Sequence, residues 1–429
     1  MSNKLRAMFC DHLGLMRGKY VSTANKILTD TRFCRSTFGV HFDRDLLPAP
    51  GTMMMEGLPD MELHWSETDI REGWEENTKI VLGDLKDGHG APLPLCPRST
   101  LKRAVQDWEN LGYSPKVGIE LEAFAFTKNE NGEFVPYDIP GGLCYGTGLI
   151  NDPLGFNTKI WEAAQKFGFR IDMFTAEYDI PQFEYTLTFD TAVKAVDDII
   201  LFRLMAREIA FEHGVYLTFM PKPIGEVGGN GMHINFSLWD KAGNNASGQI
   251  NKNAQYGLND LAQGCVAGLV THHNGLAGIL APTVNSYDRL QQGSLSGYWA
   301  NWGGDHRNVT TRVSSEQGEK ARLEHRMADA SGNPYTAVAA VLQAARLGFE
   351  NKYDLPAAET GDGFENIDAK QRVAKDLDGA IKDLEKDSAL CKALGQELVD
   401  NHVFMKRLEV EKCAKLSGSE KRDFYLHFM

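Results

Sequence analysis

The ten residues VGIELEAFAF, Val117 to Phe126, alternate in a way that fixes much of what the chain can build. On a strand, side chains two apart share a face, so Glu120 and Glu122 project together while Ile119 and Leu121 point the other way. Ala123, Phe124, Ala125 and Phe126 add apolar surface that has to be buried. Two carboxylates held this close repel and raise each other's pKa unless a cation or water comes between them. A lone Glu-x-Glu is more often a solvated strand face, and it is the apolar setting that argues for a site here.

Three further stretches supply company for that pair. In GGNGMHINFSLWD, residues 228–240, alternation puts His233, Asn235 and Ser237 on one face of a strand, after a glycine-rich approach that lets backbone come close to a ligand. In AEYDIPQFEY, Glu177 and Glu184 are an odd number of residues apart, so a bend near Pro181 is required to bring them together. In ARLEHRMADASGNPY, Arg322, Glu324 and Arg326 share a face and leave Leu323 and His325 on the other. With Arg289, Arg307 and Arg312, this makes five arginines within thirty-eight residues. Guanidinium groups hold carboxylate and phosphate oxygens bidentately. Carboxylates, one histidine and arginines together point to a hard divalent cation, Mg²⁺ or Mn²⁺, bridging to a nucleotide phosphate. Neither GxxxxGK[ST] nor GxGxxG after a strand is present, and no zinc pattern occurs.

Charge narrows the partners. The 429 residues carry a formal charge of -13, which offers no attraction to nucleic acid or anionic lipid and favours small metabolites. The N-terminus lacks an apolar signal core, and the longest apolar stretch, GCVAGLVTHHNGLAGILA, is broken by Thr271, His272, His273 and Asn274. A cytoplasmic protein is expected. Its seven cysteines are scattered without a CxxC pair, which predicts reduced thiols.

The organisation reads as α+β. Residues 1–98 predict a small, mostly β unit with a turn at Gly14, and 99–429 a catalytic domain built from an antiparallel sheet flanked by helices. Its opening helix, STLKRAVQDWENLG, is expected to be capped by Ser99 or Thr100 and closed by Gly112. Strands are expected over VGIELEAFAF, PQFEYTLTF, YLTFMPKP, GMHINFSLW and ARLEHRMAD. Long helices are expected from Asp190 and from Asn333, and a charged helical region from Asp368 to the end.

In this order, GIELE, EYDIPQFE, FMPKPIGEVGGNGMH, APTVNSYDRL, HRNVTTR and RLEHRMADASGNPY resemble the glutamine synthetase family over nearly the whole chain. The N-terminal DHLGLMRGKYV is similar to members that use amines other than ammonia. The resemblance implies ATP and Mg²⁺ (or Mn²⁺) as cofactors. It places Glu122, Glu177 and Glu184 on one metal ion, and Glu120, His233 and Glu324 on a second near the ATP phosphates. Arg289, Arg326 and Gly229 would hold L-glutamate. Arg307, Arg312 and Arg322 would neutralise ATP, with Asn235 and Ser237 near the nucleotide. Arg307, Arg326 and Glu184 would serve the chemistry itself. A β-grasp-like N-terminal domain and a homo-oligomer of stacked hexameric rings, a dodecamer, are implied as well.

Departures from the family pattern narrow the amine. The usual flap carries a glutamate that binds and deprotonates ammonium, whereas RLQQGSLSGYW places Leu295 there, followed by Tyr298 and Trp299. Asn235 stands where a histidine is usual, and Gly228 where an asparagine is. Asp45 and Asp60 are the candidates for an acidic ammonium-binding residue near the N-terminus. The expected reaction is ATP-dependent ligation of a small alkylamine, methylamine favoured, to the γ-carboxylate of glutamate through a γ-glutamyl phosphate, giving N-methyl-L-glutamine, ADP and phosphate. Ammonia or a polyamine as the amine, a non-catalytic structural assembly, and a phosphotransferase acting on a guanidino compound are the alternatives.

Overall fold

A computed structural model describes residues 4–24, 28–362 and 367–429. The α+β architecture expected from the sequence is found, with a small N-terminal sheet region and a large sheet covered by helices. At the N-terminus lie β1 (Lys4–Cys10), β2 (Met16–Ser22), β3 (Asp30–Cys34), β4 (Asp60–His64), β5 (Arg71–Glu72), β6 (Thr78–Leu82) and β7 (Asp84–Lys86). They form two sheets, ordered β2-β1-β6-β5 and β3-β4-β7. The β1–β2 hairpin turns at Gly14, whose φ of 76° is one that glycine adopts without strain. Strand β1 serves two cores at once. Leu5, Ala7 and Phe9 pack with Phe38, Met61 and Leu85, while Met8 and Cys10 face the large core.

The large sheet contains β8 (Tyr113–Lys128), β9 (Phe134–Pro136), β10 (Ile171–Ala176), β11 (Gln182–Leu187), β12 (Asp190–Thr191), β13 (Tyr216–Thr218), β14 (Met232–Asp240), β15 (Trp302–Gly304), β16 (Thr311–Val313) and β17 (Leu323–His325). Its main order is β10-β11-β8-β14-β17-β16-β15. All these pairings are antiparallel except β15 with β16, so the sheet is mixed rather than wholly antiparallel. On its apolar face Ile119, Leu121, Ile234, Phe236 and Leu238 share a core with Trp108, Ile199, Phe202, Val338 and Leu342 from the covering helices.

Local boundaries differ from the sequence reading where proline decides. The first long helix runs Pro97–Asn110, three or four residues earlier than a Ser99 or Thr100 cap would place it, because Pro97 presets the first turn and needs no N–H partner there. Gly112, at φ 92°, ends the turn that follows. Strand β13 stops at Thr218, short of Pro221 and Pro223, and β17 spans three residues, so Arg322 and Arg326 flank it. The C-terminal helices begin at Leu377, not Asp368. Among the described residues no helix is long and apolar enough to cross a membrane.

Candidate active site

Strand register brings the acidic residues of distant segments onto one face. Glu184 lies opposite Glu122, Thr186 opposite Glu120, and His233 opposite Glu120 from the other side. Asn235 pairs with Gly118 on β8 and with Glu324 on β17, and Glu324 in turn faces Arg312 on β16. Residues paired across antiparallel strands point the same way, so the apolar alternation that buries one face commits all of these side chains to the other. The bend required between Glu177 and Glu184 is present. Glu177 accepts no strand partner but sits in the β10–β11 turn, where its N–H donates to Gln182 O at 2.9 Å and Gln182 N–H donates to Asp179 O at 2.8 Å.

His233 is the hub. Its Nδ1 is 3.1 Å from Glu120 Oε2 and 3.7 Å from Glu324 Oε1, and its Nε2 is 3.7 Å from Glu122 Oε1. One oxygen or nitrogen from each of Glu120, Glu184 and His233 lies within 4.8 Å of the others, a donor set suited to a divalent cation. The trio mixes the two metal groups implied by the sequence resemblance, so the carboxylates form a single continuous cluster. Glu122 is held by Gly231 N–H at 2.6 Å and by Gln182 Nε2 at 3.3 Å.

Crowded carboxylates pay unequally for their charge. Burial, then repulsion from Glu120, Glu122 and Glu177, pushes Glu184 up to about 9. Burial and the nearby Glu122 also raise Glu177, with His233 and Arg307 pulling the other way. Burial opposes ionisation of Glu120 too, but the hydrogen bond and charge of His233, with Arg326 and Asn235, outweigh it and hold Glu120 down at about 2. A doubly charged cation would relieve the repulsion that keeps Glu184 protonated.

Arginines line the same face. Arg312 donates to Glu324 Oε2 at 2.8 Å and to Asp305 Oδ1 at 2.6 Å, and Arg326 donates through Nη1 to Glu324 Oε1. Arg326 is buried, and its Nε finds no partner among the described residues, an unsatisfied donor beside the carboxylates. Arg289 is also buried, donating to Met327 O at 3.0 Å. It fits because Gly229 and Gly231 lack side chains: a Cβ would stand 2.9 Å from Arg289 Cγ at Gly229 and 2.8 Å from Arg289 Nη2 at Gly231. Arg307 is exposed, and its charge acts on Glu177 and on Asp305, the partner of Arg312.

Beside Glu120 a cleft of about 500 Å³ opens, lined among others by Lys116, Phe189, Asn235, Ser237 and Arg322. Ser237 Oγ accepts from Trp239 Nε1 at 2.9 Å, and Lys116 Nζ lies 3.4 Å above the Trp239 ring. Lys116, Gln182 and Asp305 were not singled out from sequence. The first two had a signal, being two or four residues from a glutamate on the same strand face. Asp305 had none.

The flap contributes differently. Leu295 is 45% exposed. The Tyr298 hydroxyl accepts from Arg372 Nη1 at 2.7 Å, and Trp299 forms a backbone bridge with Arg372, so both are tied to the 371–373 segment. Asp45 pairs with Lys412 at 2.7 Å, and Asp60 is exposed at the start of β4.

The family described as glutamine synthetase, catalytic domain, matches residues 94–425. Among similar proteins, the glutamine synthetase of Pyrococcus abyssi is 32% identical over 383 residues, covering 87% of this chain and 83% of that protein. That of Clostridium saccharobutylicum is 33% identical over 337 residues, covering 77% and 75%. Two solved structures, "Apo GmaS without ligand" and "GmaS/ADP complex-Conformation 1", each superpose with a TM-score of 0.84 at 26% identity, over 98% of this chain and 96% of theirs.

Proposed function

Since the chain belongs to the glutamine synthetase family, and with it to the ATP-dependent carbon–nitrogen ligases, we propose that it joins methylamine to the γ-carboxylate of L-glutamate. The observation that carries the amine is Leu295, exposed apolar surface at the flap position where the family keeps an ammonium-binding glutamate. The likeness to GmaS, a γ-glutamylmethylamide synthetase, supports the same reading.

The residues divide the work. Glu120, His233 and Glu324 on one side, and Glu122, Glu177 and Glu184 on the other, would hold two Mg²⁺ or Mn²⁺ ions. Bound there, the ions supply positive charge to the phosphate oxygens during transfer. Arg289 and Arg326, with the Gly229 backbone beside Arg289, hold glutamate. The unpartnered Nε of Arg326 meets the oxygen that gains charge as the γ-carboxylate attacks the terminal phosphorus of ATP and ADP leaves. Arg307, Arg312 and Arg322 neutralise the nucleotide phosphates, and Asn235 and Ser237 line the cleft that receives it. The amine then attacks the acyl carbon, phosphate departs, and a nearby base takes the proton from nitrogen. Leu295, Tyr298 and Trp299 shape the amine end.

ADP release with glutamate and a panel of ammonia, methylamine, ethylamine and putrescine tests this. Methylamine is expected to give the highest kcat/KM, and a clear win for ammonia or putrescine overturns it. Ammonia is the second reading, favoured by the 32–33% identity to glutamine synthetases. Residues 1–98 are proposed as a β-grasp-like domain packed on a neighbour's catalytic domain in stacked hexameric rings of a cytoplasmic enzyme.

A further inference from the structure

Asn235 was singled out as a nucleotide contact, yet both ends of its amide are already used. Nδ2 donates to Glu120 Oε1 at 3.0 Å, and Oδ1 accepts from Arg322 Nε at 3.2 Å. The neighbours fix that orientation. A carboxylate only accepts and a guanidinium only donates, so the flipped amide would set oxygen against oxygen and nitrogen against nitrogen. Asn235 is buried on β14 opposite Gly118. The far oxygen of Glu120 is taken by His233, and Nη1 of Arg322 donates to Ser314 Oγ at 3.3 Å, to Lys320 O at 3.4 Å and to Glu316. A continuous chain of hydrogen bonds therefore runs from His233 through Glu120, Asn235 and Arg322 to the rim of the nucleotide cleft.

We propose that Asn235 is a positioning residue that couples cation binding at Glu120 and His233 to phosphate binding at Arg322. A cation drawing on Glu120 changes the acceptor strength that Nδ2 meets, and the amide passes the change to Arg322 on its other end. Metal and nucleotide then strengthen each other's binding beyond their direct contact. This rests on the ATP-dependent reading above, and the test separates the two.

Mn²⁺ affinity of the full-length protein is measured by electron paramagnetic resonance with and without ADP, and ADP affinity by calorimetry with and without Mn²⁺. The ratio of affinities defines the coupling, and such factors commonly run from about 5 to 150-fold. Asn235→Leu removes both bonds, and Asn235→Asp keeps the acceptor for Arg322 but loses the donor to Glu120. Both are expected to cut the coupling about tenfold or more, read as the ratio of affinities and so independent of any change in the affinity for either ligand alone. Asn235→His, whose neutral ring carries one donor and one acceptor, is expected to restore most of it. Wild-type coupling in Asn235→Asp, or equal loss in Asn235→His, overturns the inference while leaving the function intact. Failure of the wild-type protein to bind Mn²⁺ and ADP at all overturns the function and the inference together.

Discussion

The carboxylate face of the sheet and the flap loop behind Arg289 solve opposite problems. On the face, Glu120, His233, Asn235 and Glu324 are buried or nearly so and are each held by at least one named partner on a rigid strand. Along the flap, Gln291, Gln292, Gly293 and Leu295 are exposed, and the structure is mostly turn. Chemistry that must hold charge in place sits where register dictates position. Choice of amine sits where a side chain can change without disturbing the sheet. The contrast teaches that the two can vary separately: the face keeps its glutamates and His233 and departs from the family at Asn235, while the flap exchanges a charged residue for Leu295.

The largest effect that would break this division lies on the face. Arg326→Gln removes the guanidinium whose Nε is left unpartnered, while Arg312 still holds Glu324. Loss of one donor to developing transition-state charge costs on the order of 10²–10³ in rate, and that loss is expected in kcat of amine-dependent ADP release. A fall of less than about tenfold would show that the face does not carry the chemistry.

Protons sharpen the comparison next, because only the face has crowded carboxylates. Glu184 stands at about 9 in the folded protein, raised by burial and three neighbouring glutamates, against the ordinary 4.5. A raised folded value means the associated stability is complete below pH 4.5 and is lost as pH climbs through 9. Glu177 acts in the same direction. Glu120 acts in the opposite sense, since its value of about 2 gives stability that is lost only as pH falls from 4.5 toward 2. Between pH 6 and 9 the metal-free protein is therefore expected to lose stability, by up to about 1.4 kcal/mol per pH unit for each proton, read as a falling Tm. Saturating Mg²⁺ should flatten that slope and, at pH 7.5, release about one proton on binding, read by calorimetry in buffers of different ionisation heat. A Tm that rises with pH in chelator would contradict the cluster's electrostatics.

How legible each region was follows from the range of the forces that build it. Alternation of period two gave Glu120, Glu122, His233, Asn235 and Ser237 their shared face, because burial of Ile119, Leu121, Ile234 and Phe236 leaves no other register. The bend between Glu177 and Glu184 was required by parity alone. The helix start at Pro97 was missed by following cap chemistry rather than proline geometry. What sequence spacing does not carry is pairing across long separations. The Tyr298 hydroxyl is taken by Arg372, 74 residues on, and Asn235 is reached by Arg322, 87 residues on. The flap therefore showed what had been replaced, at Leu295, without showing which of its aromatic residues were already engaged.

The smallest expected effect falls on the flap. Leu295→Glu restores an acidic group at an exposed position, where substitution away from packed contacts changes stability by about 0.5 kcal/mol or less. Its influence should appear in the amine alone. One methyl group in an apolar pocket contributes about 1–3 kcal/mol of discrimination, roughly 10 to 200-fold. The ratio of kcat/KM for methylamine to that for ammonia is expected to fall by about tenfold or more, because a carboxylate favours the compact ammonium ion and withdraws the apolar surface that met the methyl group. The KM for ATP should stay within about twofold of wild type, since Leu295 is exposed on the flap rather than buried on the carboxylate face. An equal loss for both amines would place Leu295 in the common machinery and erase the separation between face and flap. An unchanged ratio would move the amine pocket away from Leu295, toward Tyr298 and Trp299.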